Sequence, residues 1–302
     1  MSSKIIIIGT GFAGVWSALS AKRLIDLTRE DVDIEVIVIS PEPSMVIRPR
    51  LYETNASDMV HSLAPMFESA GIKFIQGTVS TIVTETRTVS VQSASGPDSS
   101  IGYDRLIIAA GSSVVRPRGI AGIEQHAFDI DSLKSAIKLE EHIQNLPSLP
   151  ATSARDTVVV CGAGFTGIEL ATELSARLAR MPNHRIVLVD SAEQVGPELG
   201  PGPRPVITHA LKDLGIEVKL GSAVAAVDAN SVTLASGESI ESKTVIWTAG
   251  VRATPLTHQI AGSKDGLCRL KVDQHLRVPF AGRYLPLVML PLLLPIPWVT
   301  TH

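Results

Sequence analysis

Gly9-Thr10-Gly11-Phe12-Ala13-Gly14 and Gly162-Ala163-Gly164-Phe165-Thr166-Gly167 are two glycine fingerprints of one form, each set between a short apolar run and a helix-like stretch. In a strand-turn-helix unit of this kind the first glycine permits the tight turn and the second lets the backbone approach a pyrophosphate. The third lets helix and strand pack closely, and the phosphates meet the positive end of the helix. A single fingerprint is weak evidence, because glycine-rich turns are common. Two in matching contexts predict two dinucleotide sites on one chain.

The runs ahead of the fingerprints, Ile5-Ile6-Ile7-Ile8 and Thr157-Val158-Val159-Val160-Cys161, are β-branched and do not alternate with polar residues. This is how a parallel strand covered on both faces reads. An amphipathic stretch and a second apolar run follow each fingerprint, Ile34 to Ser40 and Arg185 to Asp190. Both copies therefore read as βαβ units. The repetition goes further. Gly71-Ile72-Lys73-Phe74-Ile75-Gln76-Gly77 is answered by Gly215-Ile216-Glu217-Val218-Lys219-Leu220-Gly221, and short alternating segments that read as an antiparallel meander follow both. The copies close on strands ending in Ala110-Gly111 and Ala249-Gly250. The expected fold is α/β, with two doubly wound dinucleotide-binding domains, one inserted in the other. The expected boundaries are 1–118, 119–250 and 251–302, the last a return to the first domain. The stretch Asp131 to Asn145, with Leu133, Ile137 and Leu139 at helical spacing, is expected to be a surface helix linking the halves. Gln92 to Ser100 reads as a polar hairpin loop and Pro147 to Asp156 as a loop.

The 302 residues, 45% of them apolar with a formal charge of −3, can bury two cores and lack the basic footprint of a nucleic-acid binder. The first strand begins within four residues of the N-terminus, which leaves no room for a targeting segment and makes a cytoplasmic location the expectation. Only two cysteines occur, Cys161 and Cys268, and they form no CxxC pair, so no dithiol relay is available. Cys161 holds the slot of Ile8 in the first copy and reads as a small buried apolar residue. The eight histidines are scattered, with no metal-ligand spacing, and no metal is expected.

Asp190 closes the second strand of the second copy, and no arginine follows before Arg204. A carboxylate there accepts hydrogen bonds from a ribose 2′-hydroxyl and repels a 2′-phosphate, which favours NADH over NADPH. The alternative is a solvated aspartate in a turn. Glu169 follows Gly167 by two residues, where Trp16 stands in the first copy. On its own it reads as a first-turn carboxylate favoured by the helix N-terminus.

The two fingerprints, Arg48-Pro49-Arg50-Leu51-Tyr52-Glu53, the Ala110-Gly111 close, and Thr244 to Ala253 together carry a resemblance to the two-dinucleotide flavoprotein oxidoreductases of the pyridine-nucleotide type. Among these the chain most resembles type II NADH dehydrogenases and their apoptosis-inducing-factor-like relatives, from about Lys4 to about Val278. The resemblance implies FAD at the first fingerprint (Gly9, Gly11, Phe12, Ala13, Gly14) and NAD(H) at the second (Gly162, Gly164, Phe165, Gly167). It implies that Ser40 stands where a carboxylate usually holds the FAD ribose, with Glu42 nearby as a substitute. It further implies that the loop of Arg48, Pro49 and Arg50 approaches the flavin, the alternative being two solvated arginines, that the Val79 backbone touches the FAD adenine, and that Ala110, Gly111 and Gly250 border the cofactors. Glu169 would face the flavin–nicotinamide contact as the catalytic position. No nucleophile or triad is required, since hydride moves between two cofactors that the protein orients. The implied partner is a small electron acceptor, a quinone or another.

The likeness breaks near the C-terminus. No Asp or Glu follows Asp273, so the family's strand ending in Gly-Asp, whose carboxylate supports FAD, has no counterpart, and neither does the family's further C-terminal domain. Tyr284 to Val299 is instead sixteen uncharged residues with four prolines. It is too short and too proline-rich to span a bilayer, and reads as an exposed apolar tail able to touch a membrane or partner, or as an altered terminus. The rival expectation for the whole chain is a truncated, non-catalytic remnant that binds NADH and holds flavin weakly or not at all.

Overall fold

The structure, a computed structural model, describes residues 2–28, 33–93, 96–280 and 283–289. The chain forms two compact units, one of residues 1–46, 60–113 and 252–302, the other of residues 47–59 and 114–251.

In the first unit a six-stranded sheet runs in the order Arg277–Phe280, Arg283–Met289, Arg105–Ile108, Ser3–Ile8, Ile34–Ser40, Lys73–Gln76. Only the pair Arg277–Phe280 and Arg283–Met289 is antiparallel. The unbroken run Ile5 to Ile8 follows from the two covers that this sheet wears. Successive side chains point to opposite faces, so Ile6 and Ile8 pack with Ile37, Ile39 and the meander residues Val79, Ile82, Val89 and Val91. Ile7 turns the other way and packs with Val15 and Ala18 of the helix Phe12–Thr28, and with Phe67 and Ile72. A polar residue at any of these places would be buried without a partner.

The second unit repeats the plan. Its five-stranded, all-parallel sheet runs Ala127–Phe128, Thr244–Trp247, Thr157–Cys161, Arg185–Val189, Glu217–Lys219. Val159, Cys161, Val187 and Val189 meet the meander residues Val227, Val232, Leu234 and Ile240 on one face. The helix Phe165–Arg177 covers the other, burying Leu170, Ala171 and Leu174. In both sheets the strand ahead of the fingerprint has the closing strand on one side and the next two strands of its repeat, in order, on the other.

Three differences from the sequence reading stand out. The helix spans Leu133–Asn145, is capped by Ser132 accepting from the Ser135 N–H, and buries Ala136, Leu139 and Ile143. It clusters with the second unit. The stretch before the second fingerprint is not all loop, because Thr152 caps a short helix, Ser153–Asp156. The first part of the apolar tail is a strand: Leu287, Val288 and Met289 pair in parallel with Leu106, Ile107 and Ile108. Pro286, which has no N–H to give, falls just before that ladder begins. Residues 290–302, the rest of the tail, lie outside the described residues.

Candidate functional site

Each fingerprint is the turn between a sheet strand, Ser3–Ile8 or Thr157–Cys161, and the helix that follows it, and the geometry gives its three glycines different reasons for being glycine. Gly9 has φ +108°, and a Cβ there would lie 2.4 Å from the Ala109 carbonyl oxygen. A Cβ at Gly14 would lie 2.0 Å from the carbonyl oxygen of Gly9. Gly11, between them, would meet nothing within 4 Å. In the second unit Gly162, with φ +118°, would drive a Cβ to 2.7 Å from Thr248 Oγ1, and Gly167 to 1.8 Å from the Gly162 carbonyl oxygen. Gly164 again stands clear of backbone, its nearest neighbours being the Glu198 carboxylate oxygens at 3.6 Å. The outer glycines are thus demanded by the fold, while the fold gives no reason for the middle one. Its bareness is what close approach of a ligand phosphate needs.

The strand ends complete each turn. Gly9 N–H donates to the Ile39 carbonyl at 2.9 Å and Ala109 N–H to that of Ile8 at 2.8 Å. The matching bonds in the second unit run from Gly162 to Val189 at 2.8 Å and from Thr248 to Cys161 at 2.9 Å. A residue at the end of the next strand, Ser40 as the last of Ile34–Ser40 and Asp190 just after Arg185–Val189, then clasps the fingerprint, by different chemistry in the two units. Ser40, buried, shares a hydrogen bond of 3.0 Å between its Oγ and Thr10 Oγ1. Asp190 accepts from the Ala163 N–H at 2.5 Å with one oxygen and from the Ala192 N–H at 2.8 Å with the other. A carboxylate has about four acceptor positions, so two remain for further donors. Glu42 is exposed.

The structure therefore brings together Gly9, Gly11, Phe12, Ala13, Gly14, Ser40, Ala110 and Gly111 at one edge of the first unit, where Gly111 takes φ +71° and Ala110 is exposed. Val79 is buried in the meander opposite Val91, joined to that edge through the Gly77 N–H, which donates to the Ser40 carbonyl at 3.0 Å. The second unit gathers Gly162, Gly164, Phe165, Gly167, Asp190 and Gly250, the last with φ +75° and its carbonyl accepting from the Val115 N–H. Phe165 is 56% exposed.

Arg48, Pro49 and Glu169 also cluster with the second unit. Arg48–Arg50 is one 3-10 turn with Pro49 exposed. Arg48 pairs with Asp131, which accepts from the Val114 N–H at 2.9 Å. The Asp131 N–H in turn donates to Asp129, the ion-pair partner of Arg116 at 2.5 Å. Downstream, both oxygens of Glu140 accept from the backbone N–H groups of Asn55 and Ala56. These bonds hold the segment 47–59 at both ends.

Glu169 is the fifth residue of its helix rather than a first-turn residue. Its carboxyl is pushed up to about 7 by burial and then by the negative charge of Glu53. A residue stabilised by the helix N-terminus would shift downward, so that simple reading fails, and burial one turn further in is the cause. Burial and then Glu169 also raise the Tyr52 phenol, while the Arg50 fork, bonded to Glu53 at 2.6 and 2.5 Å, holds that carboxyl low. The sequence reading did not single out Glu53, Asp131 or Glu198. Glu198 carried one signal, the sequence Gly196-Pro197-Glu198-Leu199-Gly200, whose flanking glycines mark a sharp local turn. Cys161 is an inert core thiol, its ionisation pushed up to about 12 by burial. No helix among the described residues is long and apolar enough to cross a membrane.

Residues 3–284 match the family of the pyridine nucleotide-disulphide oxidoreductases. A NADH dehydrogenase-like protein of Mycobacterium tuberculosis is 41% identical over 283 residues, which are 91% of this chain and 70% of that protein. The demethylphylloquinone reductase NdbB of Synechocystis is 27% identical over 91% of this chain and 68% of its own length. Among solved structures, NDH2 from Plasmodium falciparum in complex with NADH superposes with a TM-score of 0.78 at 19% identity, covering 96% of this chain and 64% of that one. The chain spans about 70% of the length of the first two relatives and less of the solved structure. It belongs to the pyridine nucleotide-disulphide oxidoreductase family, and with it to the FAD- and NAD(H)-dependent oxidoreductases.

Proposed function

We propose that the first unit holds FAD, that the second, inserted in it, holds NADH, and that the chain oxidises NADH and passes the electrons to a quinone. The observation that carries this reading is the bare middle glycine between two fold-demanded ones, made twice in one chain. The quinone is argued from the relatives, one of them a demethylphylloquinone reductase and others type II NADH:quinone oxidoreductases.

Flavin, when bound, accepts a hydride from reduced nicotinamide and hands electrons to an acceptor. The work of the chain is binding and orientation. Gly11 and Gly164 leave room for pyrophosphate at the starts of the helices Phe12–Thr28 and Phe165–Arg177, where the helix dipole favours anions. Asp190 offers its remaining acceptor positions to the NADH ribose and repels a 2′-phosphate. The Arg48–Asp131–Asp129–Arg116 chain fixes the entry to the segment that carries Tyr52 and Glu53. Glu169, titrating near neutrality, is able to hold or release a proton at its carboxyl under working conditions.

One observation favours the second reading, a NADH-binding remnant poor in flavin. The hydroxyl of Ser40 is buried against Thr10, and its single weak bond replaces a carboxylate's. The separating experiment measures flavin absorbance of the purified chain, then NADH oxidation with a quinone and with ferricyanide. Tightly bound stoichiometric FAD with turnover supports the enzyme. Flavin-free protein that binds NADH supports the remnant.

A further inference from the structure

The two fingerprints differ in what stands beside the middle glycine. Nothing lies within 4 Å of a Cβ built on Gly11, whereas on Gly164 both carboxylate oxygens of Glu198 lie at 3.6 Å. Glu198 is the centre of the 3-10 turn Pro197–Leu199, which leaves Gly196 at φ +56° and ends at Gly200 at φ +71°. The base of this turn is tied to the fingerprint itself, because the Gly196 N–H donates to the Ala163 carbonyl at 2.8 Å. It is further fixed by buried Val195, whose carbonyl accepts from Arg204 Nε at 3.1 Å. The side chain of Glu198 is exposed and makes no hydrogen bond or ion pair among the described residues. Nothing in the fold requires a charge there.

The helix that starts at Phe165 has no side-chain cap, so its N-terminal field is available to an anion. The carboxylate of Glu198 hangs at the margin of that field, beside the glycine that a dinucleotide pyrophosphate would approach. Like charges cannot share the place cheaply. We infer that Glu198 is a resident anion at the pyrophosphate cradle, displaced on its glycine-flanked turn when a dinucleotide enters, and that it thereby weakens NADH binding and makes it depend on salt. The inference rests on the NADH reading of the second unit and adds a regulating residue to that site. The means of displacement is the side chain itself: the turn is held by the Gly196 N–H on the Ala163 carbonyl and the Leu199 N–H on the Gly196 carbonyl, and the exposed Glu198 side chain it carries has no partner among the described residues.

The test titrates the full chain with NADH, read by nicotinamide fluorescence at low and at high salt. Glu198→Gln keeps the side chain's size and removes its charge, and Glu241→Gln makes the same charge change on a meander strand. Glu198→Gln is expected to bind NADH about fivefold more tightly at low salt, the upper range for an exposed charge pair. The gain shrinks at high salt as screening shortens the reach of the carboxylate, and Glu241→Gln behaves as the unmodified chain. Glu198→Ala repeats the measurement without an amide that could form new bonds. Unchanged or weaker NADH binding by both folded Glu198 variants overturns the inference while leaving the NADH reading intact. Absence of NADH binding in the unmodified chain and all variants overturns that reading, and the inference with it.

Discussion

The two fingerprints are one device built from different parts. Both use a positive-φ first glycine and a third glycine locked under 2.1 Å from the first one's carbonyl oxygen, were either to carry a Cβ. Around that shared frame the chemistry diverges. The first turn is clasped by two hydroxyls, Thr10 and Ser40, and the second by a carboxylate, Asp190, on backbone N–H groups. Five residues into the helix the first unit shows Trp16, 65% exposed, and the second shows the half-buried, protonatable Glu169. The frame is what a strand-turn-helix connection demands, so it repeats. The variable places, Thr10 with Ser40 against Asp190 and Trp16 against Glu169, are those the turn itself does not dictate.

Separating frame from ligand contact is the sharpest way to break this comparison. Gly167→Val puts side-chain atoms onto the Gly162 carbonyl, and is expected to destabilise the second unit by about 3 kcal/mol or more, as a strained, overpacked site does. Gly164→Val meets only the movable Glu198 and is expected to stay folded by circular dichroism while losing NADH affinity a hundredfold or more, roughly 3 kcal/mol. If Gly164→Val retains NADH, the second fingerprint is only a turn. Asp190→Ala comes next in size. It removes two charge-assisted bonds from the Ala163 and Ala192 N–H groups, each worth about 1.5–3 kcal/mol. NADH should weaken about tenfold, the preference over NADPH should narrow, and the midpoint of urea unfolding should fall. Equal dissociation constants for NADH and NADPH in the unmodified chain would remove the specificity role of Asp190.

Much of this architecture was legible in the residues because it rests on short-range rules. Unalternating Ile5 to Ile8 and Val158 to Cys161 announce parallel strands covered on both faces, and both are. The glycine spacing announced the turns. What could not be read is long-range. The pairing of Arg48 with Asp131, and of Glu140 with the backbone of Asn55 and Ala56, spans more than eighty residues and leaves no local pattern. Glu169 illustrates a different failure. Its distance from Gly167 placed it near the helix start, but the sign of its pKa shift depends on burial and on Glu53, over a hundred positions away. The start of the apolar tail misled by composition, since Arg283–Met289 is a strand in which Pro286 falls just outside the parallel ladder.

Ser40 offers a gentler test, in which the first turn is given the second turn's chemistry. The unmodified chain is expected to purify with substoichiometric FAD, since a hydroxyl already bonded to Thr10 replaces a charge-assisted acceptor. Ser40→Asp should raise FAD retention by about tenfold, a gain of about 1.4 kcal/mol in binding. Flavin content is read by absorbance after gel filtration. Full FAD occupancy in the unmodified chain sinks the expectation and favours the plain enzyme.

The smallest expected effect lies at Glu169, and it follows from the contrast with Trp16, which has no proton to gain or lose. Glu169 has its folded-state pKa raised from an ordinary value of 4.5 to about 7. Between those limits the folded chain holds more proton at this site than the unfolded chain. Stability from this group is therefore fully present below about pH 4.5 and is lost as pH rises through about 7. After discounting for partial solvent access, the loss amounts to about 1–2 kcal/mol. Glu169→Gln cannot ionise and should not suffer it. Urea unfolding at pH 5 should give nearly equal stabilities for the variant and the unmodified chain, and at pH 8 the variant should be the more stable by about 1 kcal/mol. Trp16→Gln, the matching change in the first repeat, should show no such dependence on pH. A stability difference between Glu169→Gln and the unmodified chain that stays constant from pH 5 to pH 8 means that Glu169 is ionised throughout. Its part as a proton holder in NADH oxidation would then fall with it.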